Sequence, residues 1–329
     1  MKSISKYLLT VICILIIALS GCGKEEPKVY RVGILCGLDY IADIIDSFKT
    51  KMTELGYIEG KNVVYDIQRT NFEPTKEEQI LKQFVKNKVD LIFTFPTEVS
   101  MAAKAATEGT NIPVLFTFAN IEDTGLVESV RYPGGHITGV RYPGPDLAIK
   151  RFEIMLELVP QAKRIWIPYQ RGYPIVSSQL EALRPVAVSS GVTLTEFPAD
   201  NAAELKAELD ARAKSADIGM DAILFIAEPL TVTTDAFAVM GKFAAEHKVP
   251  IGGAIMLVED YGSVFGVNVD TIKAGKQAAI LADKILKGTS AGTIPVVSAD
   301  SYLQINYKAI KELGLESEGL LSRADEIIR

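Results

Sequence analysis

Short, continuous apolar runs alternate along this chain with longer stretches whose apolar positions recur every three or four residues. The short runs predict buried strands, and the periodic stretches predict amphipathic helices. A first cycle reads strand 29–36, helix 41–55 ended by Gly56, strand 62–67, helix 75–87, strand 89–95, helix 98–107 and strand 112–118. A second reads helix 146–158, strand 164–169, helix 175–190, strand 192–197, helix 202–214, strand 221–227, helix 232–247 and strand 250–252. Beyond Gly262 come strand 264–268, helix 271–286, a strand-like 294–305 and a helix from Tyr307. Such alternation, with strands apolar throughout, predicts an α/β fold of parallel sheets covered by helices on both faces. Tyr142-Pro143-Gly144-Pro145 marks the first crossing between two lobes. The final helices and strand are too little for a third domain and return to complete those lobes.

The first residues stand outside this pattern. Lys2 and Lys6 precede an apolar run over 8–19, shorter than the ~20 residues a membrane-spanning helix needs. This is the layout of a secretory signal. Leu19-Ser20-Gly21-Cys22 resembles the bacterial lipobox, in which the cysteine is acylated and becomes the new N-terminus. The expectation is a signal peptide over 1–21, a lipid on Cys22, and a polar tether over 22–28. The rest is then an extracytoplasmic domain that meets the membrane through its lipid anchor only. Several acyl chains anchor a protein firmly where one does not.

The 329 residues are 48% hydrophobic and 23% charged, enough to bury the core of two lobes. Loss of residues 1–21 removes two lysines and takes the net charge from −6 to about −8. An acidic chain without a basic patch is not a nucleic-acid binder. Of three cysteines, Cys13 lies in the signal and Cys22 carries the lipid. Cys36, ending an apolar strand, has no intramolecular disulfide partner and reads as a buried, inert thiol. His136 follows a Pro-Gly-Gly turn, and His247 ends a helix. No HExxH, CxxC, G-x-S-x-G or Walker pattern is present, which argues against metal, cofactor and catalytic chemistry.

In open parallel sheets, ligands lie beyond the carboxyl ends of strands. Those ends carry Asp39 and Tyr40, then Phe95, Thr97 and Glu98, then Phe118 and Asn120 in the first half. In the second half they carry Tyr169, Arg171, Tyr173 and Glu228, with Met256 near the rim. Aromatics mixed with a few hydroxyls, amides and carboxylates are what a small-molecule cleft presents. Thr97 and the first amides of its helix either hold an anionic group or only start the helix. Glu98 and Glu228 either bind an ammonium group or complement helix N-termini.

Several segments resemble one family. Leu55-Gly56-Tyr57-Ile58-Glu59-Gly60-Lys61-Asn62-Val63 is similar to the LGY-x-EGKNV segment of ABC transporter substrate-binding proteins of the tryptophan/tyrosine type. Gly125-Leu126-Val127-Glu128-Ser129 and Pro133-Gly134-Gly135-His136-Ile137-Thr138-Gly139-Val140 resemble its GLV-x-S…PGGNITGV, with His136 in place of the usual Asn. Ala274 to Ala279 and Lys284 to Gly288 resemble its G-x-QAA…KILxG helix, and Leu303 to Asn306 its closing strand. Asn120-Ile121-Glu122-Asp123 stands where many members have Asp-Pro-Val-Gly.

The resemblance implies a periplasmic-binding-protein type I-like fold. It has two doubly wound parallel-sheet lobes, a three-segment hinge and a ligand between the lobes. The expected lobes are 29–142 plus about 268–290, and 143–267 plus about 291–329. The implied function is an importer's solute-binding lipoprotein, a monomer that captures an aromatic amino acid or similar compound and delivers it to an ABC permease. A binding protein that presents its bound state to a membrane receptor or kinase is the alternative, and a surface lipoprotein enzyme is a third.

Overall fold

The computed structural model describes residues 28–37, 41 and 43–329. Cys22, the signal and the tether up to residue 27 lie outside the described residues. Among the described residues, no helix is long and apolar enough to cross a membrane.

The first cycle forms β1 (Tyr30–Cys36), α1 (Asp43–Glu54), β2 (Val63–Arg69), α2 (Pro74–Lys86), β3 (Leu91–Phe95), α3 (Thr97–Ala106), β4 (Val114–Ala119) and β5 (Ile137–Arg141). The second forms α4 (Gly144–Leu158), β6 (Arg164–Gln170), α5 (Val176–Ser189), β7 (Thr193–Ala199), α6 (Ala202–Ala213), β8 (Ala222–Leu224), α7 (Thr234–His247) and β9 (Ile251–Gly253). A hairpin follows, β10 (Leu257–Val258) and β11 (Tyr261–Gly262). The chain ends with β12 (Phe265–Val269), α8 (Thr271–Leu286), β13 (Val297–Ser298), β14 (Ser301–Asn306), α9 (Tyr307–Glu312), α10 (Glu318–Leu321) and β15 (Glu326–Ile328).

One sheet has the order β13-β5-β4-β3-β1-β2, and the other β15-β14-β12-β9-β8-β6-β7. Each therefore contains the doubly wound 2-1-3-4-5 arrangement, whose switch point lies between its first and third strands. Every pairing in the first sheet is parallel. The second is mixed, because β14 runs antiparallel to β12. Successive β1 residues serve opposite faces, as strand geometry requires. Val32, Ile34 and Cys36 pack in one cluster, whereas Leu35 joins another with α2 and α3.

Several differences from the sequence expectation have physical causes. β5 follows the Pro-Gly-Gly turn in a stretch to which the sequence pattern assigned no element, because Gly and Pro flank its short apolar core. β8 stops at Leu224, and a 3₁₀ turn, Leu230–Val232, precedes α7. The lobe boundary expected near residue 291 moves later, since β13 pairs with β5 in the first sheet. The chain thus crosses after β5, after β12 and between β13 and β14. The crossings bind one another through main-chain bonds from Ala299 N to Arg141 O at 3.0 Å and from Asp270 N to Asp300 O at 2.9 Å.

Helix α8 seats on α1 in the first lobe, and Gly275 permits the approach. A Cβ built there would lie 2.0 Å from Ser47 Oγ and 2.5 Å from Ile44 O. Gly275→Ala should therefore lower unfolding free energy by about 1–3 kcal/mol through overpacking. Urea denaturation followed by circular dichroism measures this; an unchanged midpoint would refute the close-packing account.

Candidate functional site

A cavity of about 410 Å³ opens between the carboxyl ends of the two sheets. The first-sheet side presents Phe72, Pro96, Thr97, Glu98, Phe118 and Asn120. The second presents Tyr173, Ile175, Ile226, Ala227, Glu228, Pro229, Val232, Thr233 and Ala254. Tyr142, Arg151 and Asn268 form its floor beside the crossings.

Helix α3 opens directly onto this cavity. Pro96 occupies its N-cap position, and no side chain caps the first amides. Those amides carry the positive end of the helix dipole. Thr97 Oγ1 instead accepts from Asn120 N at 3.0 Å, which ties α3 to the end of β4. Asn120 is 5% exposed, and its Oδ1 has no hydrogen-bond partner among the described residues. A buried amide oxygen left unpaired costs about 1–3 kcal/mol, so a donor arriving in the cleft would recover stability there. Gly144 makes space for this side chain, since a Cβ on it would lie 2.7 Å from Asn120 Oδ1.

Phe118 reaches the cleft through a backbone irregularity. The β4–β5 register shifts between Thr117 and Ala119, and Phe118 adopts φ 50°. A bulky residue in this left-handed region costs on the order of 1–2 kcal/mol. Its ring meets Tyr142 edge-on, with centroids 5.1 Å apart. Burial pushes the Tyr142 hydroxyl above its ordinary pKa, and neighbouring Arg151 opposes that rise.

Arg151 is 2% exposed. Its Nε and Nη2 donate to Val267 O at 2.9 and 2.7 Å, and Nη1 donates to Phe225 O at 3.2 Å. No carboxylate among the described residues forms an ion pair with it. The floor therefore carries a buried guanidinium held by carbonyls and the Tyr142 hydroxyl, while Glu98 and Glu228 line the same cavity.

The sequence candidates divide. Thr97, Glu98, Phe118, Asn120, Tyr173 and Glu228 all line the cleft. Asp39 and Tyr40 lie outside the described residues. Phe95 turns the other way: it is fully buried and packs 5.4 Å from Phe93 in the core. Tyr169 packs half-buried against the core beside β7 rather than lining the cavity. Arg171 is drawn to the outer edge by Asp200 and Glu204, each at 3.1 Å. Met256 packs on the second lobe's core before the hairpin.

Glu228 lines the cavity, but its carboxylate serves the loop. Oε2 accepts from Gln170 N at 2.9 Å and Leu230 N at 2.8 Å. Oε1 accepts from Thr231 N at 2.8 Å and from the Thr231 hydroxyl. These donors occupy the roughly four acceptor sites of a carboxylate. The carboxylate thus orders the 228–231 turn, in line with the helix-terminus alternative for Glu228.

A model of the family described as ABC transporter substrate binding protein matches residues 34–328. The chain belongs to this family. It is also 27% identical over 272 residues to a "Tyrosine-binding protein" of Clostridioides difficile strain R20291, covering 82% of this chain and 76% of that one. Among solved structures, it resembles an ABC domain from Streptococcus pneumonia in complex with L-Trp, with TM-score 0.74 and 23% identity over 92% of this chain and 100% of that one. A ligand-free, open substrate-binding protein with adhesive properties from Clostridium difficile gives TM-score 0.76 and 22% identity, covering 91% and 99%.

The strand-end rule missed several cleft residues of this substrate-binding protein. Tyr142 lies on the first crossing and Arg151 midway along α4, where no strand-end signal reaches; Asn268 stands at the end of β12 and Phe72 follows β2, both at strand ends. The departure at Asn120-Ile121-Glu122-Asp123 also has a local account. Glu122 ion-pairs with Arg141 at the end of β5, and Arg141 also holds Asp146 at 2.7 Å and Ser298 Oγ at 2.8 Å. Because Glu228 orders its turn, Glu228→Ala should cost about 2–3 kcal/mol of stability by stranding buried amides. Thermal and urea unfolding measure this; unaltered stability would return Glu228 to the role of a ligand anchor.

Proposed function

We propose that this substrate-binding protein is the extracytoplasmic receptor of an ABC importer and captures a ring-bearing, zwitterionic amino acid or similar compound. The supporting observation is the pairing of Asn120's unpartnered Oδ1 with the uncapped amides of α3 in one apolar, aromatic cleft. An ammonium group suits the amide oxygen, a carboxylate suits the helix amides or Arg151, and a ring suits Phe118, Tyr142 and Tyr173. Such an arrangement of apolar walls with few convergent polar groups is suited to a small ligand of this kind. The tyrosine-binding relative and the L-Trp complex agree with this class.

Capture proceeds by closure of the two lobes about their crossings, driven by contacts the ligand makes with both. The closed form then delivers the ligand to a membrane permease. Mass spectrometry of ligand released from denatured protein, followed by calorimetry, tests the ligand class. L-tyrosine or L-tryptophan should bind, and myo-inositol should not. Retention of a polyol or sugar alone would overturn the reading.

Anchoring is proposed through lipid on Cys22, with residues 1–21 removed. Cys22→Ala should move the protein from the detergent phase to the aqueous phase in cell extracts. Unchanged partitioning and unchanged gel mobility would exclude the lipid.

A further inference from the structure

Phe72 has four properties that do not belong to an ordinary loop residue. It lines the cleft while remaining 41% exposed. It adopts φ 56°, and its neighbour Asn71 adopts φ 49°, so two successive residues other than glycine occupy the left-handed region. Asparagine tolerates that region, whereas a bulky aromatic does so at a steric cost. Its ring meets no other described ring, unlike Phe118, which meets Tyr142 edge-on. Finally, the ring lies over the end of β1: a Cβ on Gly37 would sit 3.4 Å from Phe72 Cε1 and 3.1 Å from Pro96 Cδ. Gly37 N donates to Phe95 O at 2.9 Å, so this place is the gap between β1 and β3, the switch point of the first sheet.

Packing alone does not account for such a residue. A half-exposed ring contributes little to a core, yet the backbone is held in an unfavourable region to keep it there. Local strain of this kind collects where function uses it. On the opposite lobe, Val232 also lines the cleft and is 39% exposed. It is the corresponding apolar group on the facing wall.

We propose that Phe72 is a specificity-determining residue, an aromatic lip whose face stacks on the ring of the bound ligand and whose outer side is covered by the Val232 wall when the lobes close. This rests on the reading of the cleft as an amino-acid site. The ligand class narrows to compounds with a planar ring, because an aromatic face prefers an aromatic partner beyond simple area burial.

The test compares wild type, Phe72→Asn and Phe72→Tyr with three probes: L-tryptophan, L-tyrosine and L-leucine. Asparagine keeps the left-handed preference and removes the ring, so Phe72→Asn should melt at or above the wild-type temperature. Its affinity for the bound ring-bearing probe should fall about five- to twentyfold, with a smaller change for any L-leucine binding. Phe72→Tyr should stay within about twofold of wild type, since it retains the ring face. Wild-type affinity in Phe72→Asn, or a melting point several degrees lower, would make Phe72 a surface or packing residue and overturn the proposal. Wild type that binds neither L-tryptophan nor L-tyrosine would instead defeat the amino-acid reading of the cleft, and the proposal with it.

Discussion

The junction of the two lobes depends on a buried cation. Arg151 reaches from α4 to the carbonyls of Val267, within β12 just past its last pairing with β9, and of Phe225, just beyond β8. Carbonyls past the last pairing have lost their ladder partners and need donors, and a guanidinium offers five. One side chain thus closes the top of the second sheet and forms the cavity floor. Tyr142, on the first crossing, packs over it, with its hydroxyl 3.5 Å from Nη2. No carboxylate among the described residues pairs with it, so its charge is met by the Val267 and Phe225 carbonyls and the Tyr142 hydroxyl.

The cleft above this floor is assembled from residues whose local geometry is unfavourable or unsatisfied. Phe118 and Phe72 stand on left-handed backbone, Asn120 holds an unpaired oxygen, and α3 begins without a side-chain cap. Away from the cleft, Asn201 caps α6 and Asp270 caps α8 by accepting from first-turn amides, whereas α2, α5 and α7, like α3, start without a side-chain cap. Polar groups that bind a ligand have to be left unspent by the protein itself, and rings that meet a ligand have to turn away from the core that would otherwise absorb them.

Much of this was legible in the sequence. The two cycles follow from apolar periodicity, and the strand-end rule names six of the residues that line the cleft. The failures share a cause. Parallel strands are buried on both faces, so alternation along β3 cannot tell that Phe95 joins Phe93 in the core. Arg171 follows β6 as expected, but Asp200 and Glu204 pull it outward, and those partners are distant in sequence. Glu228 lines the cleft, but its donors come from a turn whose geometry only the fold supplies.

The sequence by itself determined the α/β class, the repeated order of elements and the family, because hydrophobic period and short motifs are local properties that survive any packing. Only the tertiary structure decided which way each strand-end side chain turns, where β13 pairs, and which buried groups remain without partners. Those outcomes depend on contacts between residues far apart in the chain. Arg151 with Val267, Gly275 with Ser47, and Phe72 over Gly37 are such contacts.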